Sequence, residues 1–94
     1  MVVRLTRFNL SPEKAQEAKK IYKKGIAPEV KKQKGNVNVM LLEPTDGSNE
    51  HISITTWENK ADAEAYEASG KYKELVDKIK GMFTGKPALK TYKA

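Results

Sequence analysis

The sequence predicts an α+β fold in the order β-α-β-β-α-β, a four-stranded antiparallel sheet with its helices on one face. Three observations carry that expectation. Four short segments (2–10, 36–43, 51–58 and 88–93) are rich in β-branched and large apolar residues. Stretches with apolar residues at three- and four-residue spacing separate the first segment from the second and the third from the fourth. Between the middle two lies only "PTDGSNE" (44–50), which suits a hairpin. The 94 residues are expected to form a single domain over 1–94.

Each element has a local reason. "VVRLTRFNL" (2–10) reads as a strand that sets Arg4, Thr6 and Phe8 against Val3, Leu5, Arg7 and Asn9. Ser11 then supplies an N-cap oxygen, Pro12 fits the first helical position, and Glu13 complements the positive end of the helix dipole. Ala15, Ala18, Ile21 and Tyr22 mark one face of an amphipathic helix. Gly25 and Pro28 are expected to interrupt it, because a proline disfavours helix at the preceding Ala27. A further turn over 29–33 closes at Gly35.

"NVNVMLLE" (36–43) puts Val37, Val39 and Leu41 on one face and Met40 and Leu42 on the other. Asp46-Gly47 is the sharpest turn signal in the chain. "HISITTWE" (51–58) sets Ile52, Ile54 and Thr56 opposite His51, Ser53, Thr55 and Trp57. Asn59 and Asp62 form a variant capping box for an alanine-rich helix running to about Ala68, and Gly70 breaks it. Tyr72, Leu75, Val76, Ile79, Met82 and Phe83 stripe a further helix, "TGKP" (84–87) stops it, and "ALKTYK" (88–93) is the last strand. Both faces of the second strand call for burial, yet the helices cover one. A second subunit laid sheet to sheet answers that demand, so a homodimer is expected.

Composition narrows the function classes. The net charge of +6 comes from 18 basic residues, of which all but Arg4 and Arg7 are lysines. Base readout and bidentate phosphate contacts favour arginine, and no nucleic-acid motif accompanies the charge. Residues 14–34 hold eight lysines against Glu17 and Glu29, whereas 43–67 hold seven acids against Lys60. A solvated helix face explains the basic block. No apolar run reaches the ~20 residues of a membrane span, so no membrane partner is expected, and the cytoplasm is the default location. With one histidine, no cysteine and no dinucleotide fingerprint, neither a metal nor a cofactor is expected.

A few side chains bear on chemistry. Trp57, the sole tryptophan, is either core filler or the wall of a ligand pocket, and the two roles are compatible. Ser53 and Thr55 share its strand face, where their hydroxyls either orient a polar ligand or bond neighbouring strands. Tyr22, Tyr66 and Tyr72 bring apolar rings with polar tips, as pocket walls often do, and helix packing would bring Tyr22 and Tyr66 toward the Trp57 face. His51 begins a strand beside Glu50 and is expected exposed or capping the hairpin. An arginine pointing into a pocket would bind an anionic or quinone oxygen, but Arg4 is expected at a solvated edge.

Over essentially its whole length the chain resembles the antibiotic biosynthesis monooxygenase family, whose members are ferredoxin-like dimeric α+β barrels. The resemblance rests on the element order, on "GIAPEVKKQKGNVNV" leading into strand two, and on "ITTWENKADAEAY" from strand three into the next helix. In that family's aromatic polyketide oxygenases, a strand-ending tryptophan works with an asparagine four residues earlier and a tyrosine in the following helix. Trp57 stands at the tryptophan position, Ser53 at the asparagine and Ala63 near the tyrosine, with Tyr66 a turn further on. The haem-degrading branch uses asparagine, tryptophan and histidine where Thr6, Tyr66 and Val76 stand, and without that axial histidine haem cleavage is not expected. The resemblance thus implies a cofactor-independent monooxygenase acting on a quinol or other electron-rich aromatic. Tyr66 and Ser53 would donate hydrogen bonds and Trp57 would stack on the substrate, with Tyr22, Tyr72 and Thr55 completing the pocket. The alternative is a non-catalytic homodimer that binds a small apolar ligand.

Overall fold

Alternation along the strands and three-to-four spacing along the helices sort the side chains onto two sides of one sheet. In a computed structural model of residues 1–94, the strands are β1 (Val2–Asn9), β2 (Asn36–Leu42), β3 (Glu50–Trp57) and β4 (Ala88–Lys93). They pair antiparallel in the order β2-β3-β1-β4, the ferredoxin-like arrangement. The register places Arg4 opposite Thr55, Thr6 opposite Ser53 and Phe8 opposite His51 on the helix-covered face. Leu5 opposite Ile54 and Arg7 opposite Ile52 lie on the other.

Val37 does not share the face of Val39 and Leu41. Asn36 pairs with Trp57 but Asn38 pairs with Thr56, so Val37 is the extra residue of a bulge and stays exposed. The bulge resets the alternation, directing Val39 and Leu41 toward the helices and Met40 and Leu42 away.

The first helical region is longer than the sequence predicts. A 3-10 turn (Pro12–Lys14) leads into α1 (Ala15–Ile21), a π-helical turn (Tyr22–Ile26) and α2 (Ala27–Lys31) without interruption. Pro28 does not break it, and Ala27 is helical at φ −56°, ψ −45°. The Ala27 N–H reaches back five residues to the Tyr22 carbonyl, and this wider turn puts Pro28 in the first turn of α2, where a missing N–H breaks no bond. Lys78 Nζ donates to the Gly25 carbonyl at 3.0 Å and fastens the turn to the next helical layer. The Ser11 hydroxyl donates to the Glu13 carboxylate at 2.9 Å instead of capping the backbone.

The second region follows the sequence more closely. α3 (Lys60–Ala68) starts at Asn59, whose Oδ1 accepts the Asp62 N–H at 2.9 Å. Gly70, at φ 84°, separates it from α4 (Lys71–Asp77). The expected stripe through Phe83 is cut short, because a 3-10 turn (Lys80–Met82) swings Phe83 into an extended bridge with Leu10. Gly35 is required where β2 begins: its φ is 82°, and a Cβ there would collide with the Asp62 side chain.

The core lies between sheet and helices. Trp57 is fully buried, with Leu10 and Leu75 at 1% exposure. His51 is buried as well, not exposed: its ring stacks on Phe8 at 6.0 Å between centroids and its Nδ1 lies 3.0 Å from the Asn49 carbonyl. Phe8 shields it on the helix-covered face. No helix is long and apolar enough to cross a membrane.

Candidate small-ligand site

Strand alternation aims Arg4, Thr6, Ser53 and Thr55 at the helices, and the π-helical turn, α3 and α4 aim Tyr22, Tyr66 and Tyr72 back at them. Together they border a cavity of about 60 Å³, closed at its inner end by Ile26, Leu75 and Ile79 and bordered by the exposed Pro87 and Leu89. Two different environments result.

At one end the polar groups satisfy each other. Tyr22 Oη and Ser53 Oγ are 2.7 Å apart, and Tyr22 Oη donates to the Met40 carbonyl at 3.3 Å. With the Tyr22 proton committed there, the Ser53 hydroxyl is the donor within the pair. Burial pushes the Tyr22 phenol up, with the Ser53 contact opposing.

At the other end a cation sits among aromatic rings. Arg4 is 5% exposed, although the sequence placed it at a solvated edge. Its position beside Thr6 and Phe8 on the covered face decides this, because α3 and α4 close over that row. Its Nη2 lies 3.0 Å from Glu67 Oε2, its Nη1 donates to the Ala63 carbonyl at 3.4 Å, and its guanidinium lies 5.5 Å from the centre of the Tyr72 ring. Tyr66 and Tyr72 meet edge to face at 5.9 Å. Burial raises both phenols above 10.0, with Arg4 opposing in each case, so both stay protonated at neutral pH and act as donors, not bases.

Five of the six side chains expected at a site, Tyr66, Ser53, Tyr22, Tyr72 and Thr55, meet at this cavity. Trp57 does not line it and sits in the core, the first of the two roles its sequence context offered. The indole stacks behind Tyr66 at 5.0 Å and 28°, and its Nε1 donates to Thr55 Oγ1 at 3.0 Å. Trp57 therefore positions two residues that face the cavity while touching nothing in it. Arg4 is the residue sequence reasoning misplaced. Its signal was the face it shares with Phe8, outweighed by the usual exposure of arginine.

A porphyrin does not fit these residues. Val76 lines the cavity and offers no ligand atom, and His51 is packed behind Phe8.

Fold and cavity define a class: a ferredoxin-like domain with an apolar, arginine-containing pocket between sheet and helices. The chain belongs to the antibiotic biosynthesis monooxygenase family, whose model matches residues 1–78. No curated protein sequence matches it. Among solved structures, a candidate antibiotic biosynthesis monooxygenase from Nitrosomonas europaea superposes with a TM-score of 0.85 at 15% identity, covering 100% of this chain and 98% of that one. SnoaB, a cofactor-independent oxygenase from Streptomyces nogalater solved as a single-site mutant, gives 0.82 at 19% identity over 99% and 91% of the two chains. A single-site mutant of MhuD with two manganese protoporphyrin IX molecules per active site gives 0.80 at 21% identity over 100% and 94%. At these identities the likeness is one of fold.

Proposed function

We propose that the protein is a cofactor-independent oxygenase of small quinols or similarly electron-rich aromatics, working as a homodimer. The observation that carries this is the Arg4 cation beside two protonated phenols in an apolar cavity. As an aromatic substrate gives up a proton and passes electrons to O2, negative charge gathers on its ring oxygen. A buried guanidinium and the Tyr66 hydroxyl are suited to hold that charge, and the apolar walls keep water from competing. A quinol and O2 then become a hydroxyquinone and water, or in an anthrone a ring methylene and O2 become a ring carbonyl and water, every electron coming from the substrate. The cavity residues orient, donate hydrogen bonds and exclude water. None of them has to change redox state.

Size restricts the substrate. About 150 Å³ accommodates a benzene ring, more than the cavity of about 60 Å³ offers. A substrate ring therefore needs the cavity to widen, and the exposed Pro87 and Leu89 border it on the solvent side.

Aerobic incubation with naphthoquinols and anthrones, followed by oxygen uptake, tests the activity. Uptake is expected for the wild type and a marked loss for Tyr66→Phe. Uptake unchanged by Tyr66→Phe removes the proposed site. Binding without uptake supports the second reading, a non-catalytic ligand-binding dimer, which the commitment of Ser53 to Tyr22 favours. The dimer itself rests on the open sheet face, where Leu5, Ile52 and Ile54 are half-buried and Met40 and Leu42 exposed. A dimer mass is expected by light scattering at micromolar concentration, and a stable monomer there would refute it.

A further inference from the structure

We propose that Arg4 is the counter-ion site for an aromatic anion, a ring bearing a phenolate or carboxylate oxygen, and that Glu67 is the internal carboxylate this ligand displaces. The inference rests on reading the cavity as a site for small aromatics, and it fixes the charge state in which the ligand is held.

The coordination of Arg4 is the first reason. A guanidinium has five N–H donors. Here one meets a single oxygen of Glu67 at 3.0 Å and another the Ala63 carbonyl at a long 3.4 Å. The others have no protein partner, although the side chain is only 6% exposed. Buried cations are costly unless their donors are well used. A ligand oxygen entering from the cavity would complete the set, and a charged oxygen would do so more strongly than a neutral one.

The asymmetry of the ion pair is the second reason. Glu67 is 50% exposed, so its carboxylate can swing into water without losing its solvation, while Arg4 cannot follow. Glu67 lies outside the cavity lining and thus serves as a replaceable anion that neutralises Arg4 from the solvent side. The rest of the cavity is permissive for negative charge, since no carboxylate lines it and Arg4 is its only ionised residue. The Tyr66 and Tyr72 rings, set edge to face beside the guanidinium, supply the aromatic part of the recognition.

Calorimetric titration of the full chain distinguishes the charge state. Benzoate and 4-nitrophenolate are compared with the neutral isosteres benzamide and 4-nitroanisole, on wild type, Glu67→Gln and Arg4→Gln. The anions are expected to bind at least roughly tenfold more tightly than their isosteres, the factor a charged hydrogen bond provides. Glu67→Gln tightens the anions further and leaves the neutral ligands unchanged, while Arg4→Gln abolishes the preference. Should Arg4→Gln fail to fold, the Glu67→Gln comparison decides alone. Preference for one anion over the other identifies the oxygen recognised. Equal binding of anions and isosteres, or anion affinity unchanged in Glu67→Gln, overturns the proposal. Anion binding that follows this pattern with no oxygen uptake on any quinol keeps the proposal and removes the oxygenase reading. Uptake in a protein without anion preference does the reverse.

Discussion

The two faces of the sheet are built from the same strands by the same alternation, yet they do opposite things. On the covered face Arg4, Thr6, Ser53 and Thr55 sit among buried rings, and nearly every polar atom has a partner or faces the cavity. On the open face the aliphatic Leu5, Met40, Leu42, Ile52 and Ile54 stand among polar residues such as Arg7, Asn38 and Lys90, and no helix covers them, with Met40 at 43% and Leu42 at 40% exposure. Both faces thus carry large apolar side chains, unlike a monomeric sheet with one solvated face, and the covered face adds a few buried polar groups to its apolar core. Such a two-sided apolar demand makes sense where one face houses a site and the other meets a partner.

Substitutions on each face sharpen that contrast, the largest effect coming from the covered side. Trp57→Ala empties the centre of the core and is expected to cost about 3–5 kcal/mol. Small domains hold only about 5–15 kcal/mol in total, so urea melts should show a weakly folded or unfolded chain. A loss below 1 kcal/mol would place the core elsewhere.

Ile54→Lys on the open face brings a charge into the proposed dimer contact, at a penalty of several kcal/mol per buried ion. Light scattering should report a monomer with the circular dichroism of the wild type. If Ile54→Lys unfolds the chain instead, the open face is part of the monomer core and the contrast fails.

Alkaline titration separates the faces without mutation. Tyr22, Tyr66 and Tyr72 all lie on the covered face with phenols raised above 10.0. Below pH 10.0 neither folded nor unfolded chain ionises them, so they leave stability unchanged. Above it the unfolded chain releases protons that the folded chain retains, and stability falls as pH rises. Tyrosinate absorbance from these three is expected to appear together with the loss of circular dichroism. Their ionisation in a still-folded protein would mean that the cavity is wet.

Tyr22→Phe removes one side of the Tyr22–Ser53 hydrogen bond and is expected to cost about 1 kcal/mol. A double-mutant cycle with Ser53→Ala measures the coupling directly, and additivity would show the two hydroxyls independent. The smallest change belongs to neither face. Val37→Thr, at the bulge, should stay within about 0.5 kcal/mol in the same melts.

Much of this architecture was legible in the residues. Strand alternation, the Asn59 cap, the break at Gly70 and the hairpin at Asp46-Gly47 are local effects, decided by side chains within a few positions of each other. So is the assignment of Ser53, Thr55 and Trp57 to one strand face. The alternation also put Arg4 beside Phe8, and only the preference of arginine for water argued against reading it as buried. What the residues did not decide depends on contacts distant in the chain. The wide turn closed by the Ala27 N–H on the Tyr22 carbonyl lets the helix run through Pro28, and across the layers Lys78 meets the Gly25 carbonyl and Tyr22 meets Ser53. Tyr66 packs between Trp57 and the cavity and so keeps the indole out of it. Glu67, 63 positions away in sequence, gives Arg4 the partner that allows its burial. Periodicity determines which way a side chain points. Whether it then meets water, a ring or a charge is decided only when the layers close.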